Sequence, residues 1–241
     1  MPLDPSNWLR PDWPEVTAFM TTRGPNFGRK AGDLDQALAN RAGLAELLGA
    51  RPVFLDQVHG ADVVRLRADW HDDNAPRADA AVSTDPGLAV AILVADCLPV
   101  LFTAPGGVAG AHAGWRGLAA GVLEHTVAEL CEAAGCEPRD VKAWLGACIG
   151  PEAFEVGDEV RVTFEAAAPE AAQCFKPGTA PGKWLADLAG LARQRLQAEG
   201  VAQLYGNDGS AAWCTVNNPL RFFSHRRDRV SGRFAACIWR D

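Results

Sequence analysis

The segment PGLAVAILVADC, residues 86–97, is apolar almost without a break and ends on Asp96 and Cys97. A strand with one wet face alternates apolar and polar residues; this one does not, so both of its faces must be covered. It is also far shorter than the roughly 20 apolar residues a membrane helix needs. A chain built around such a strand has to place further layers on either side of its sheet.

The flanking text supplies those layers. EVTAFMTTRG (15–24) alternates and then breaks at glycine, as a first strand does. LDQALANRAGLAELLG (34–49) has leucine and alanine at helical spacing and stops on Gly49. RPVFLDQVHGADVVRL (51–66) reads as two strands around a loop holding Gln57, His59 and Gly60. VAGAHAG (108–114) is a strand after the Pro105-Gly106-Gly107 turn. From Leu118 the period lengthens: Val122, Thr126, Val127 and Leu130 mark one helix closed by Gly135. VKAWLGACIG (141–150) is predicted as a strand, and 158–169 and 184–200 as helices. The end, LRFFSHRRDRVSGRFAACIWR, reads as two strands joined by a basic turn. Strands and helices intermingle, which predicts an α/β or α+β domain with mixed sheet. No linker or repeat period divides residues 1–241, so a single domain is expected.

Charge and cysteine use narrow the function classes. The formal charge is −7, with no Lys/Arg run, so general nucleic-acid binding is not expected. MPLDPSNWLRPDWPEV lacks the basic and apolar regions of a signal peptide, and no membrane partner is expected. Seven scattered cysteines then read as thiols in a reducing cytoplasm, not as a disulfide framework. No CxxC pair is present, which argues against zinc of the finger or ribbon kind.

His59, Cys97 and His112 share a context: each stands where a strand ends or a glycine-containing loop begins. Such positions aim side chains into clefts. Three readings fit: packing residues, a Cys/His nucleophile and base, or ligands of one metal. His₂Cys is a recognised zinc set that leaves the fourth tetrahedral position open. His71, in ADWHDDNAPR, and His125, on a helix flank, read as solvated. A second cluster, RFFSHRRDRVSGR (221–233), crowds arginines beside Phe222 and Phe223. Arginine forks suit phosphate, and the alternative is a solvated turn paired with Asp228. The glycines around Cys148 in LGACIGPEAFEVG suggest close backbone approach, with Cys148 itself in the core.

DQVHGADV, ADCLPVLF, GAHAGWRGLAAGV, IGPEAFEVG and RFFSHRRD…SGR together resemble the successive blocks of the YfiH-like, or laccase-domain polyphenol oxidase, family. The blocks run in order from about residue 20 to the C-terminus. The resemblance implies one zinc held by His59, Cys97 and His112. It implies a single-domain, four-layer α/β/β/α fold with two packed mixed sheets. It also implies activity on purine nucleosides: phosphorolysis of adenosine, inosine, guanosine and methylthioadenosine, and deamination of adenosine. Some members are described as copper polyphenol oxidases, and others are implicated in editing peptidoglycan precursors. Three departures stand out. TTRGPNFGRKAGDLDQ is shorter than the family's glycine-rich stretch, GPEAF lacks cysteines often found there, and His225 replaces an expected tyrosine.

The residues give these activities chemical content. Zinc lowers the pKa of a bound water toward about 7, which suits attack on C6 of adenine. A carboxylate must then move protons, and Asp96, Asp56 and Asp79 are the candidates. Phosphorolysis needs a phosphate seat, for which Arg226, Arg227, Arg23 and Arg116 are candidates, with Phe223 to stack on the base. Copper is the second metal considered for the same ligands, because divalent copper outcompetes zinc at most such sites. A blue-copper centre wants an axial ligand such as Met, and the chain has only Met1 and Met20. A metal-free hydrolase using Cys97 and His112 would not need His59. The reading carried forward is a cytoplasmic zinc enzyme whose partners are purine nucleosides and phosphate.

Overall fold

Leu88–Val94 has neighbours on both edges and cover on both faces. Leu88, Val90, Ile92 and Val94 turn toward a second sheet, while Ala89 and Ala91 turn toward a helix. This period-2 division explains why the run carries no polar residue: each face belongs to a different core. Burying an Ile92-sized side chain contributes about 1.5–3 kcal/mol.

The computed structural model describes residues 3–70 and 75–241. In chain order the elements begin with β1 (Thr17–Met20), α1 (Leu34–Leu48), β2 (Arg51–Phe54), β3 (Val63–Arg65) and β4 (Ala80–Ser83). Next come β5 (Leu88–Val94), β6 (Leu98–Ala104), β7 (Gly107–Ala113), α2 (Trp115–Ala119) and α3 (Val122–Ala134). They continue with β8 (Lys142–Leu145), β9 (Glu155–Gly157), α4 (Asp158–Ala167), β10 (Phe175–Pro177) and β11 (Lys183–Ala186). The last are α5 (Leu188–Ala198), β12 (Gln203–Gly206), α6 (His225–Asp228) and β13 (Phe234–Trp239).

One sheet runs β1-β13-β5-β2 and the other β12-β8-β6-β7-β4-β3, each mixing parallel and antiparallel pairs. The facing sides interdigitate through Met20, Val53, Val90, Ile92, Leu101, Val108 and Ile238. Gly110 on β7 lets the sheets approach: a Cβ there would stand 2.9 Å from Val90 Cγ1 and 3.0 Å from Ile92 Cγ1. Leu44 of α1 covers the outer face of the first sheet with Phe54, Ala89 and Cys237. Leu118, Val127, Leu130, Phe164 and Leu191, from α2 to α5, cover the second with Val100 and Phe102. The expected four layers, α/β/β/α, are therefore present, with a small antiparallel sheet β10-β11-β9 added beside them. Among the described residues no helix is long and apolar enough to cross a membrane.

Three local readings are corrected. The helix expected from Leu118 is two helices, because Gly121 sits at φ 93 between α2 and α3. The helix expected over 184–200 starts at Leu188: Asp187 caps it by accepting the Gly190 amide at 2.8 Å, and Lys183–Ala186 is β11. The C-terminal basic turn is the short helix α6, capped by Ser224, and only its downstream flank is a strand. Leu98–Ala104 is a central strand despite Pro99, which sits beyond the β8 ladder with its carbonyl on Gly146. His71 lies outside the described residues. His125 is exposed, with Nδ1 3.0 Å from the Ala61 carbonyl.

Candidate metal centre and its cavity

Strand register delivers the first of the three candidate ligands. On β7, Ala109, Ala111 and Ala113 face the helices, so residues 108, 110 and 112 face the other sheet. His112 thus emerges at the strand's end, between the sheets, and is only 3% exposed. Its Nδ1 donates to Asp79 Oδ1 at 2.7 Å. Asp79 is fully buried and also accepts the backbone amides of Val58, His59 and Gly60 at 3.1, 2.9 and 2.7 Å. One carboxylate therefore orients His112 and folds the loop that carries His59. In that loop His59 takes φ 62, an uncommon value for a side-chain-bearing residue. Gly117 packs against it so closely that a Cβ would stand 2.6 Å from the Gly60 carbonyl.

Cys97 arrives from the other direction, after β5 ends and Asp96 reverses the chain at φ 89. Its Sγ lies 3.9 Å from His59 Nε2, and the His59 and His112 rings meet edge to face with centroids 4.7 Å apart. One donor atom from each residue falls within 4.8 Å of the others. Burial alone would raise the Cys97 thiol, but the His112 and His59 rings outweigh it and bring it down to about 6. Burial likewise disfavours a charged His112, yet Cys97 and Asp79 raise it to about 9. For Asp79, burial is outweighed by the hydrogen bonds from His112 and the Gly60 and Val58 amides, which lower it. The donor set suits a borderline-soft metal ion. It offers one readily ionised thiolate and two imidazoles, and Asp79 engages His112 Nδ1 so that Nε2 is left as the donor.

The trio lies at one side of a cavity of about 510 Å³. Arg116 and Arg226 line it, as do Asp56 and Asp96. Asp56 is ion-paired with Lys30 at 3.0 Å. Both Asp96 oxygens are engaged: Thr215 Oγ1 donates to one at 2.6 Å, and Ser224 Oγ and the Arg226 amide donate to the other. Arg23, Arg227 and Phe223 are not among the cavity-lining residues. Arg227 forks onto Asp228 at 2.7 and 2.8 Å and donates to the Thr215, Val216 and Phe222 carbonyls, so its guanidinium holds its own loop together. Arg23 donates to the Pro219 carbonyl and lies 5.4 Å over the Phe223 ring, which packs on Phe234. The cavity also takes in Arg233, from the basic cluster at 221–233, and Arg29, Lys30 and Arg41, which sequence reasoning did not single out for binding. Gly28 makes room for Arg233, since a Cβ there would meet its Cγ at 2.7 Å.

Residues 19–241 match the family described as multi-copper polyphenol oxidoreductase laccase. The chain belongs to this YfiH-like, laccase-domain family. It is 46% identical to "Purine nucleoside phosphorylase PA4543" of Pseudomonas aeruginosa, over 96% of this chain and 98% of that relative. It is 44% identical to "Purine nucleoside phosphorylase YfiH" of Escherichia coli, over 97% and 99% of the two chains. Among solved structures, the Neisseria meningitidis protein NMB0706 superposes with a TM-score of 0.87 at 39% identity, covering 98% of this chain and all of the other. Membership of the laccase-domain family brings an apparent conflict, since its description says multi-copper. A multicopper cluster needs many histidines, and this chain has five. The described residues bring His59, Cys97 and His112 together as one candidate group.

Proposed function

We propose that the protein is a metal-dependent purine nucleoside phosphorylase. One observation carries the reading: a His₂Cys donor set opens onto a cavity walled by Arg29, Lys30, Arg41, Arg116, Arg226 and Arg233, in a chain of net charge −7. Cations gathered at one cavity in an acidic protein favour an anionic co-substrate such as phosphate. A volume of about 510 Å³ accommodates a nucleoside and a phosphate ion together. The names of the relatives point to the same substrates.

His59, Cys97 and His112 would hold the metal, and zinc is the ion proposed. Met20, the described methionine, is buried with its Sδ 3.3 Å from the Ala147 amide, so it is not an axial copper ligand. When bound, zinc supplies a positive charge and a Lewis acid beside the reacting group. Asp79 holds the two histidine-bearing segments in register. Arg226 and Arg116 bind and orient the phosphate, while Asp96 fixes the Arg226 backbone against the Cys97 turn. Asp56, which also lines the cavity, is the carboxylate proposed to handle protons in deamination of adenosine. A metal-free Cys/His hydrolase is the second reading, favoured by a thiol lowered to about 6 next to imidazole.

The test is turnover of adenosine, inosine, guanosine and methylthioadenosine by zinc-loaded protein, with and without phosphate. Phosphate-dependent release of free base that disappears with chelator and with Cys97→Ala is the expected result. Turnover that survives chelator would support the hydrolase. No turnover by the metal-replete protein would overturn the proposal.

A further inference from the structure

Cleaving a purine from its sugar leaves negative charge on the base, which a nearby acid can neutralise. Most ionisable side chains on the cavity wall already have partners. Asp96 accepts from Thr215, Ser224 and Arg226; Asp56 pairs with Lys30; His112 donates to Asp79, and His59 lies against Cys97. Among the described lining residues, the side chains of Arg29, Arg116 and His225 have no hydrogen-bond or ion-pair partner within the chain, Arg116 lying only over the Trp115 ring. Arginine does not release its proton in proteins, whereas histidine both gives and regains one near neutral pH.

His225 is also held in place. Ser224 and Arg226, on either side of it, donate to the same Asp96 oxygen at 3.1 and 2.6 Å. Asp96 is the chain neighbour of Cys97, so the backbone bearing His225 is tied to the turn that positions a proposed metal ligand. Ser224 is fully buried, while His225 is exposed on the cavity wall. A surface histidine of a solvated turn would need none of this anchoring.

We propose that His225 is the general acid of phosphorolysis, protonating the purine ring as the glycosidic bond breaks. The inference rests on the phosphorylase reading above. The bond from sugar C1′ to purine N9 breaks with its electron pair passing to the base, and a phosphate oxygen forms the new bond to C1′. The His225 proton ends on the base, and the proton of the hydrogen phosphate ion returns to the imidazole. Arg226 and Arg116 line the same cavity and stabilise the incoming anion without exchanging protons.

The test compares zinc-loaded wild type with His225→Gln on two substrates, inosine and N7-methylinosine. The methylated base is already cationic and leaves without an acid. The expected result is a fall in kcat of about 10²-fold or more on inosine, with less than about threefold change on the methylated nucleoside. Zinc content and thermal unfolding should match wild type. An equal fall on both substrates, or no fall on either, overturns the assignment. If wild type itself turns over neither nucleoside, the phosphorylase reading fails and the acid has no reaction to serve.

Discussion

His112 Nδ1 donates to Asp79 at 2.7 Å, and the same carboxylate accepts the His59 amide at 2.9 Å. Two residues far apart in the chain are thus set by a third that touches both. Asp79→Asn keeps the shape but replaces one carboxylate oxygen with an NH2 group that can only donate. With the NH2 toward Val58 and Gly60, their two amides lose an acceptor and the His59 loop loosens. With it toward His112 and His59, the His59 amide and His112 Nδ1 lose theirs, and the ring is no longer held with Nε2 free for a metal. We expect zinc affinity to fall about 10- to 100-fold, measured by competition with a chromophoric chelator. Unchanged affinity would remove Asp79 from its positioning role.

The thiols differ in reactivity in a way that can be measured in zinc-free protein. Cys97 is brought down to about 6, while burial raises Cys131 to about 12 and Cys174 to about 11, and pushes Cys148 and Cys237 up as well. The thiolate is the nucleophile, so alkylation of Cys97 should be fast above pH 6 and lost as pH falls through that value. Mass mapping after brief iodoacetamide treatment at pH 7 should find Cys97 labelled ahead of these four. Zinc should protect it. Labelling of Cys97 with a midpoint near 9 would contradict the electrostatic account.

Arg226 and Arg227 are neighbours with opposite assignments. Arg226 lines the cavity, whereas Arg227 is bound to Asp228 and three backbone carbonyls. Arg226→Ala should raise KM for phosphate about tenfold, equivalent to about 1.4 kcal/mol, with thermal unfolding little changed. Arg227→Ala should lower stability by about 1.5–3 kcal/mol, seen in denaturant unfolding. The reverse pattern would exchange their roles.

That pair also marks where the sequence is legible and where it is not. The doubly covered strand at 88–94 is plain because its composition leaves no wet face, while the four-layer order is legible only through the family resemblance. His59, Cys97 and His112 are visible as residues at strand ends. Their meeting depends on the β7 register and on the reversal at His59, which is stabilised by Asp79 across the fold. No local pattern encodes such a partnership. The apolar run from Trp184 joined β11 to α5 because apolar residues continue through both elements. In the basic turn, helix α6 separates Arg226 from Arg227, while charge alone makes them equivalent.

Gly117 offers the sharpest test of how closely the centre is built. A Cβ at this position would stand 2.6 Å from the Gly60 carbonyl oxygen, and both groups are backbone in packed elements. Neither can swing aside as a flexible side chain would. Gly117→Ala must therefore push the 58–60 loop away from α2, straining its three hydrogen bonds to Asp79 and displacing His59. Overpacking of this kind costs about 1–3 kcal/mol, and the strain should fall on the metal centre before the sheets. We expect weakened zinc binding and a lower Tm for the zinc-loaded protein, with a smaller Tm change in the zinc-free form. Equal loss in both forms would mean that the contact stabilises the fold without tuning the site.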